Sequence, residues 1–145
     1  VPLSTADKRR WLEEVPLLRG ASPEVLDRLA EVSGEIDFSP GQPIVLQGQV
    51  GNGLYIIVAG TARVVRGGTE LARLGPGDFF GELAVIDQKP RTASAYAEGA
   101  TTCLTLASWD LLEVLERDPK LTLNLLRELV GRVRRADEDA ERLRH

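Results

Sequence analysis

The sequence contains one cysteine, Cys103, no methionine, and one histidine, His145, at its last position. A lone cysteine closes no disulfide within the chain, and a reducing cytoplasm is the compartment this usage indicates. One terminal histidine leaves almost nothing from which to build a His-based metal site or a Ser/His or Cys/His nucleophile pair. No apolar run approaches the roughly 18 residues of a helical membrane span, and Val1 to Gly20 has no apolar secretory core. The missing initiator methionine indicates a processed or excised chain. Basic residues are in deficit too: 18 Lys and Arg against 22 Asp and Glu give a formal charge of −4. That is the wrong sign for a surface that holds nucleic acid by its phosphates, leaving open only a local basic patch. No Walker phosphate loop occurs, and Gly75-Pro-Gly77-Asp-Phe-Phe-Gly81 places its third glycine one residue late for a dinucleotide fingerprint.

What is present is ordinary globular composition, 43% hydrophobic and 28% charged over 145 residues. A domain of that length buries roughly 68–70% of its unfolded surface and folds alone, so residues 1–145 read as one domain. Ser22-Pro23-Glu24 predicts a helix start and Gly34 a stop, with Val25, Leu26, Leu29, Ala30 and Val32 forming one apolar stripe. Trp11, Leu12 and Val15 predict a shorter helix before it. From Glu35 the pattern changes to short strands separated by turn residues, among them Pro40-Gly41, Gly51-Asn-Gly53, Gly67-Gly68 and Gly75-Pro-Gly77. Such punctuation predicts an antiparallel β-roll over 35–108. Leu54 to Ala59 is apolar on both faces, as in a central strand, while Leu71 to Leu74 alternates. Val64 and Leu74 are candidates for a pocket floor, with a plain core role as the alternative. Cys103 falls in a late strand, where a small buried thiol is expected. Ser108 and Asp118-Pro119 predict two C-terminal helices over 109–145. In the last, Leu126, Leu129, Val133, Ala136, Ala140 and Leu143 follow spacings of three and four. The seam is about two and a half heptads long, short of a secure coiled coil. Two readings stand: the helix packs on its own roll, or it pairs with a second copy.

The residues that carry chemistry cluster between Phe79 and Ser94. Gly81 and Glu82 open a short apolar run, Leu83 to Ile86, long enough for one helical turn whose first N–H groups suit an anion. Pro90 fixes the chain before Arg91, whose planar guanidinium matches a phosphate, and Thr92 adds a hydroxyl. Glu82 would repel a bare phosphate and is useful only to a ligand that also presents hydroxyls, such as a sugar. A singly charged phosphate next to a ribose hydroxyl meets all of these demands. The competing reading of Glu82 and Arg91 is a mutual surface salt bridge, worth at most about 1 kcal/mol.

Phe-Gly-Glu-Leu-Ala at 80–84 and Pro-Arg-Thr-Ala-Ser at 90–94, with the spacing between Glu82 and Arg91, resemble the phosphate-binding cassette of cyclic-nucleotide-binding domains. That family includes catabolite activator proteins, regulatory subunits of cyclic-nucleotide-dependent kinases, and nucleotide-gated channels. The resemblance extends through Phe38-Ser-Pro-Gly41, Gln47-Gly48 and Leu54 to Gly60, and through the terminal helices. It implies a mainly β, jelly-roll-like fold with N-terminal helices (1–34), a short cassette helix within 79–94, and two C-terminal helices. It implies that Arg91 pairs with the cyclic phosphate and Glu82 accepts the ribose hydroxyl. Backbone N–H groups near Leu83, Ala84 and Thr92 complete the cradle, with Gly81 allowing close approach. Arg132 falls where several channel-type members place a lid arginine over the base, with an ordinary ion pair as its alternative. The positions of the activator-type adenine contacts fall on Ala136 and Asp137, and alanine makes no such bond. Thr92 suits cyclic GMP in some members and cyclic AMP in others, and cyclic AMP is the favoured ligand. The implied function is a non-enzymatic cytoplasmic sensor that couples nucleotide binding to movement of its C-terminal helix. A homodimer through that helix is expected, with no direct contact to nucleic acid. The alternatives are the sensory half of a transcription regulator, with no room before His145 for its helix-turn-helix, or a non-binding dimerisation scaffold.

Overall fold

Two serines start the first helices of the computed structural model, in which residues 2–51, 53–81 and 86–144 are described. At α1 (Thr5–Glu13) the Ser4 hydroxyl accepts from the Asp7 N–H at 3.1 Å, and the Asp7 carboxylate accepts from the Ser4 N–H at 3.4 Å. At α2 (Pro23–Val32) the Ser22 hydroxyl accepts from the Val25 N–H at 3.2 Å. Each contact satisfies a donor that the helix itself leaves without a partner. Helix α2 stops at Ser33, whose backbone is extended and whose hydroxyl donates to the Ala30 carbonyl at 2.8 Å. Gly34, expected to be the stop, is already the first residue of a strand.

Among the described residues eight strands follow: β1 (Gly34–Phe38), β2 (Pro43–Val45), β3 (Gly53–Ala59), β4 (Ala62–Arg66), β5 (Thr69–Leu74), β6 (Phe79–Phe80), β7 (Ser94–Ala97) and β8 (Thr101–Ala107). They form two antiparallel four-stranded sheets, ordered β1-β8-β3-β6 and β2-β7-β4-β5. This is the expected β-roll. Strand β3 shows why its sequence is apolar on both faces. Leu54, Ile56 and Val58 pack with the helices, beside Leu104 and Leu106 of β8, whereas Tyr55 and Ile57 face the interior of the roll with Phe38, Ala95 and Cys103. Successive side chains on a strand point to opposite faces, so one strand serves two cores. Burial pushes the Cys103 thiol up to about 12.

Helices α3 (Ser108–Arg117) and α4 (Pro119–Arg144) close the chain. The Asp118 carboxylate accepts from the Leu121 N–H at 3.1 Å, as expected of a cap. Ser108 differs from expectation. It is the first helical residue rather than the cap, and its hydroxyl is buried with no hydrogen-bond partner among the described residues. Leu121, Leu125 and Leu129 seat α4 on the helical core, and the Asn124 amide donates to the Arg19 carbonyl at 2.7 Å. Leu129 therefore leaves the expected heptad seam and joins the protein's own core. Leu126, Val133 and Leu143 of that seam are exposed, and Leu123 and Val130 join Leu126 and Val133 in an exposed apolar face.

Candidate functional site

Arg91 reaches its position through backbone pairing rather than through its side chain. Its N–H donates to the Gln49 carbonyl at 2.8 Å, its carbonyl accepts from the Gly48 N–H at 2.9 Å, and Val50 and Pro90 form a β-bridge beside them. The Gln47 N–H donates to the Ser94 hydroxyl at 2.8 Å, and the Gln47 side chain accepts from the Gly67 N–H at 3.2 Å. The Gln47-Gly48 dipeptide thus pins both ends of the segment that carries the arginine. Just before it, Gln88 has a φ of 56°, a left-handed conformation that costs a non-glycine residue about 1 kcal/mol or more. The neighbouring turn is held by the Asp87 carboxylate, which accepts from the Lys89 N–H at 3.0 Å.

So anchored, the Arg91 side chain turns inward and is only 9% exposed. Its Nη2 donates to the Gly53 carbonyl at 3.0 Å, and its guanidinium lies 5.6 Å from the centroid of the Tyr55 ring. Two glycines make room for it. Gly81 has a φ of 96°, and a Cβ there would lie 2.7 Å from both Nη1 of Arg91 and the Gly53 carbonyl oxygen. A Cβ on Gly51 would come within 2.6 Å of the guanidinium carbon. In front of Arg91 lies a cleft of about 250 Å3, lined by Val45, Val64, Phe80, Gly81, Asp87 and the run Lys89 to Ala95. Its walls combine apolar side chains with one buried cation, the composition of a small-molecule site.

Of the residues singled out in the sequence, Gly81, Arg91, Thr92 and Val64 come together around this cleft. Thr92 is exposed, and its carbonyl accepts from Arg66 Nε at 3.2 Å. Leu74 lies elsewhere, packed with the cluster of Phe38, Ile57 and Ala62, so its core alternative is the one the packing favours. Arg132 lies partly exposed on α4, outside the cleft lining. Glu82, Leu83 and Ala84 fall outside the described residues. Sequence reasoning missed Gly51, Gly53 and Tyr55. The first two had been read only as turn residues, and nothing local in the sequence tells that Arg91, 38 residues later, folds onto Gly53.

Residues 35–118 match the family described as "Cyclic nucleotide-binding domain". The chain belongs to the cyclic nucleotide-binding domain family. It is 38% identical to the "Cyclic AMP receptor protein" of Thermus thermophilus, across 88% of this chain and 62% of that one. It is also 38% identical to a "cAMP-dependent protein kinase regulatory subunit" of Blastocladiella emersonii, across 70% of this chain and 28% of the relative. The chain thus spans less than two thirds of the length of these relatives. The crystal structure of the Thermus thermophilus catabolite activator protein superposes with a TM-score of 0.76 over 88% of this chain and 62% of that one. The N-terminal domain of a Streptomyces coelicolor transcriptional regulator, 28% identical, gives 0.75 over 88% of this chain and 95% of its own. Cyclic nucleotide-binding domains are sensory binding modules rather than catalytic ones. Among the described residues no His, Cys, Asp and Glu group is arranged to hold a metal, and no helix is long and apolar enough to cross a membrane.

Proposed function

We propose that residues 1–145 form one cyclic nucleotide sensor domain and that cyclic AMP is its favoured ligand, with cyclic GMP as the alternative. The observation that carries this reading is the burial of Arg91 at the back of an open cleft walled by residues 89–95. A buried guanidinium lining a cleft suits an anion held in a fixed pose. The apolar wall of Val45, Val64 and Ala95 gives the remainder of a nucleotide a surface to cover. Glu82 is the proposed acceptor of the ribose hydroxyl, and the N–H groups of Leu83, Ala84 and Thr92 are the proposed phosphate donors. The domain binds and does not turn over its ligand.

Binding is proposed to draw the cassette turn inward and to move α4 over the base, with Arg132 as the lid residue. The exposed stripe of Leu123, Leu126, Val130 and Val133 has the three-four spacing of a paired helix. It supports a homodimer through α4. The likeness to the N-terminal domain of a transcriptional regulator supports a sensory role within such a regulator.

The test is calorimetric titration of protein refolded free of co-purified ligand, with cyclic AMP and cyclic GMP in parallel. Saturable binding that favours cyclic AMP is the expected result. At a hundredfold over Kd the ligand should also stabilise the fold by about 2.7 kcal/mol. Neither heat nor thermal stabilisation with either nucleotide would reduce the chain to a dimerising scaffold.

A further inference from the structure

The seat beneath Arg91 joins Tyr55 of β3 to Phe80 and Gly81 at the start of the cassette. Tyr55 and Phe80 are register partners on β3 and β6. Their rings stack with centroids 5.4 Å apart and planes inclined by 6°. The Arg91 guanidinium lies 5.6 Å from the centroid of the Tyr55 ring, and Nη2 donates to the carbonyl of Gly53, two residues before Tyr55 on the same strand. Gly51 and Gly81 close in from other directions, so that a Cβ on either would collide with the guanidinium group.

A buried cation needs replacement for its lost hydration. The Gly53 carbonyl dipole and the Tyr55 ring quadrupole supply part of it. The flat ring also limits the planes open to a guanidinium 5.6 Å from its centroid, and the Phe80 stack braces that ring. A guanidinium held in one plane has less rotational freedom to lose when it meets a phosphate oxygen.

We propose that Tyr55 is a positioning residue of the anion site: its ring, backed by Phe80, fixes the plane in which Arg91 meets a phosphate. The proposal rests on the reading of Arg91 as the phosphate partner. It predicts that the aromatic ring matters and the Tyr55 hydroxyl does not.

The experiment compares cyclic AMP affinity in the wild type, Tyr55→Phe and Tyr55→Leu, and repeats Tyr55→Leu in an Arg91→Lys background. Tyr55→Phe should bind within about twofold of wild type, and Tyr55→Leu about tenfold more weakly. In the lysine background, where no planar group remains to be oriented, the leucine change should cost less than half as much on a logarithmic scale. Equal losses in both backgrounds, or full affinity in Tyr55→Leu, would overturn the proposal. A second readout needs no ligand. In the free protein the Arg91 side-chain Nε–H proton should resonate upfield through the ring current of Tyr55, keep that shift in Tyr55→Phe and lose it in Tyr55→Leu. An unchanged shift in the leucine variant overturns the positioning role even if affinity falls. Tyr55→Met serves the same comparison should the leucine variant fail to fold. If wild-type protein binds neither cyclic AMP nor cyclic GMP, the sensor reading fails, and the proton shift still decides whether Tyr55 orients Arg91.

Discussion

The two sheets of the roll are built from similar strands and do different work. In β1-β8-β3-β6 the central strands are covered on both sides, and Leu54, Ile56, Ile57, Leu104 and Leu106 are fully buried. In β2-β7-β4-β5 one face meets the roll interior and the cleft while the other meets water, and β5 is exposed along most of its length. Buried apolar surface is concentrated in the first sheet, and the cleft lies against the second. Arg91 joins the two. It is carried by the segment that leads into β7, yet its guanidinium is held by Gly53 and Tyr55 of β3. The buried sheet seats the charged group, and the open sheet lines the cleft in front of it.

The sharpest way to break this division is to remove one residue from each side. Leu104→Ala should lower unfolding stability by about 2–5 kcal/mol, because it leaves a cavity between sheet and helices. Denaturant melts should show it, and affinity per folded molecule should be unchanged. Arg91→Ala should instead weaken cyclic nucleotide binding by about 2–5 kcal/mol, with the smaller loss in the melts. Calorimetry on the two variants exchanges the effects if the division is wrong.

A subtler effect concerns pH. Burial raises the Cys103 thiol to about 12 in the folded protein, while the unfolded chain ionises near its ordinary value of about 8.5. Between these values only the unfolded state loses the proton. The contribution is therefore complete below the unfolded value and falls away as pH rises toward 12. Melts from pH 8 to 11 should show Cys103→Ala less alkali-sensitive than wild type, and thiol reagents should label Cys103 only upon unfolding. The smallest effect is expected on the open sheet: Leu71→Ser, at a half-exposed position on β5, should stay within about 0.5 kcal/mol of wild type. A larger loss would mean that β5 contributes to the core after all.

The parts of the fold legible in the sequence were those set by short-range rules. Ser22-Pro23 started a helix because the cap and the fixed proline angle act locally, and Leu54 to Ala59 read as a central strand because both of its faces are apolar. The phase of α4 was harder. Its spacings of three and four contain two overlapping stripes, and only the packed core separates Leu121, Leu125 and Leu129 from Leu123, Leu126, Val130 and Val133. Ser108 looked like a cap because serine so often is one, but the strand before it runs through Ala107 and places the hydroxyl one residue too late. Leu74 pairs with Ala62 beyond the register shift at Val64 and Val65, and so packs in the core. At the site, Arg91 was visible through its motif. Its seat was not, because Gly51, Gly53 and Tyr55 meet it only after β3 and the cassette have folded together.

Gly53 has one more property. Its carbonyl receives Arg91, and it is the register partner of Ala107, the residue from which α3 begins. If a ligand draws Arg91 away from Gly53, it acts on the strand pair that sets the origin of the C-terminal helices. Thermodynamic reciprocity makes the route run in both directions. Were such a coupling present, a partner that grips those helices would change the affinity for the anion by the same factor with which the anion changes the partner's hold.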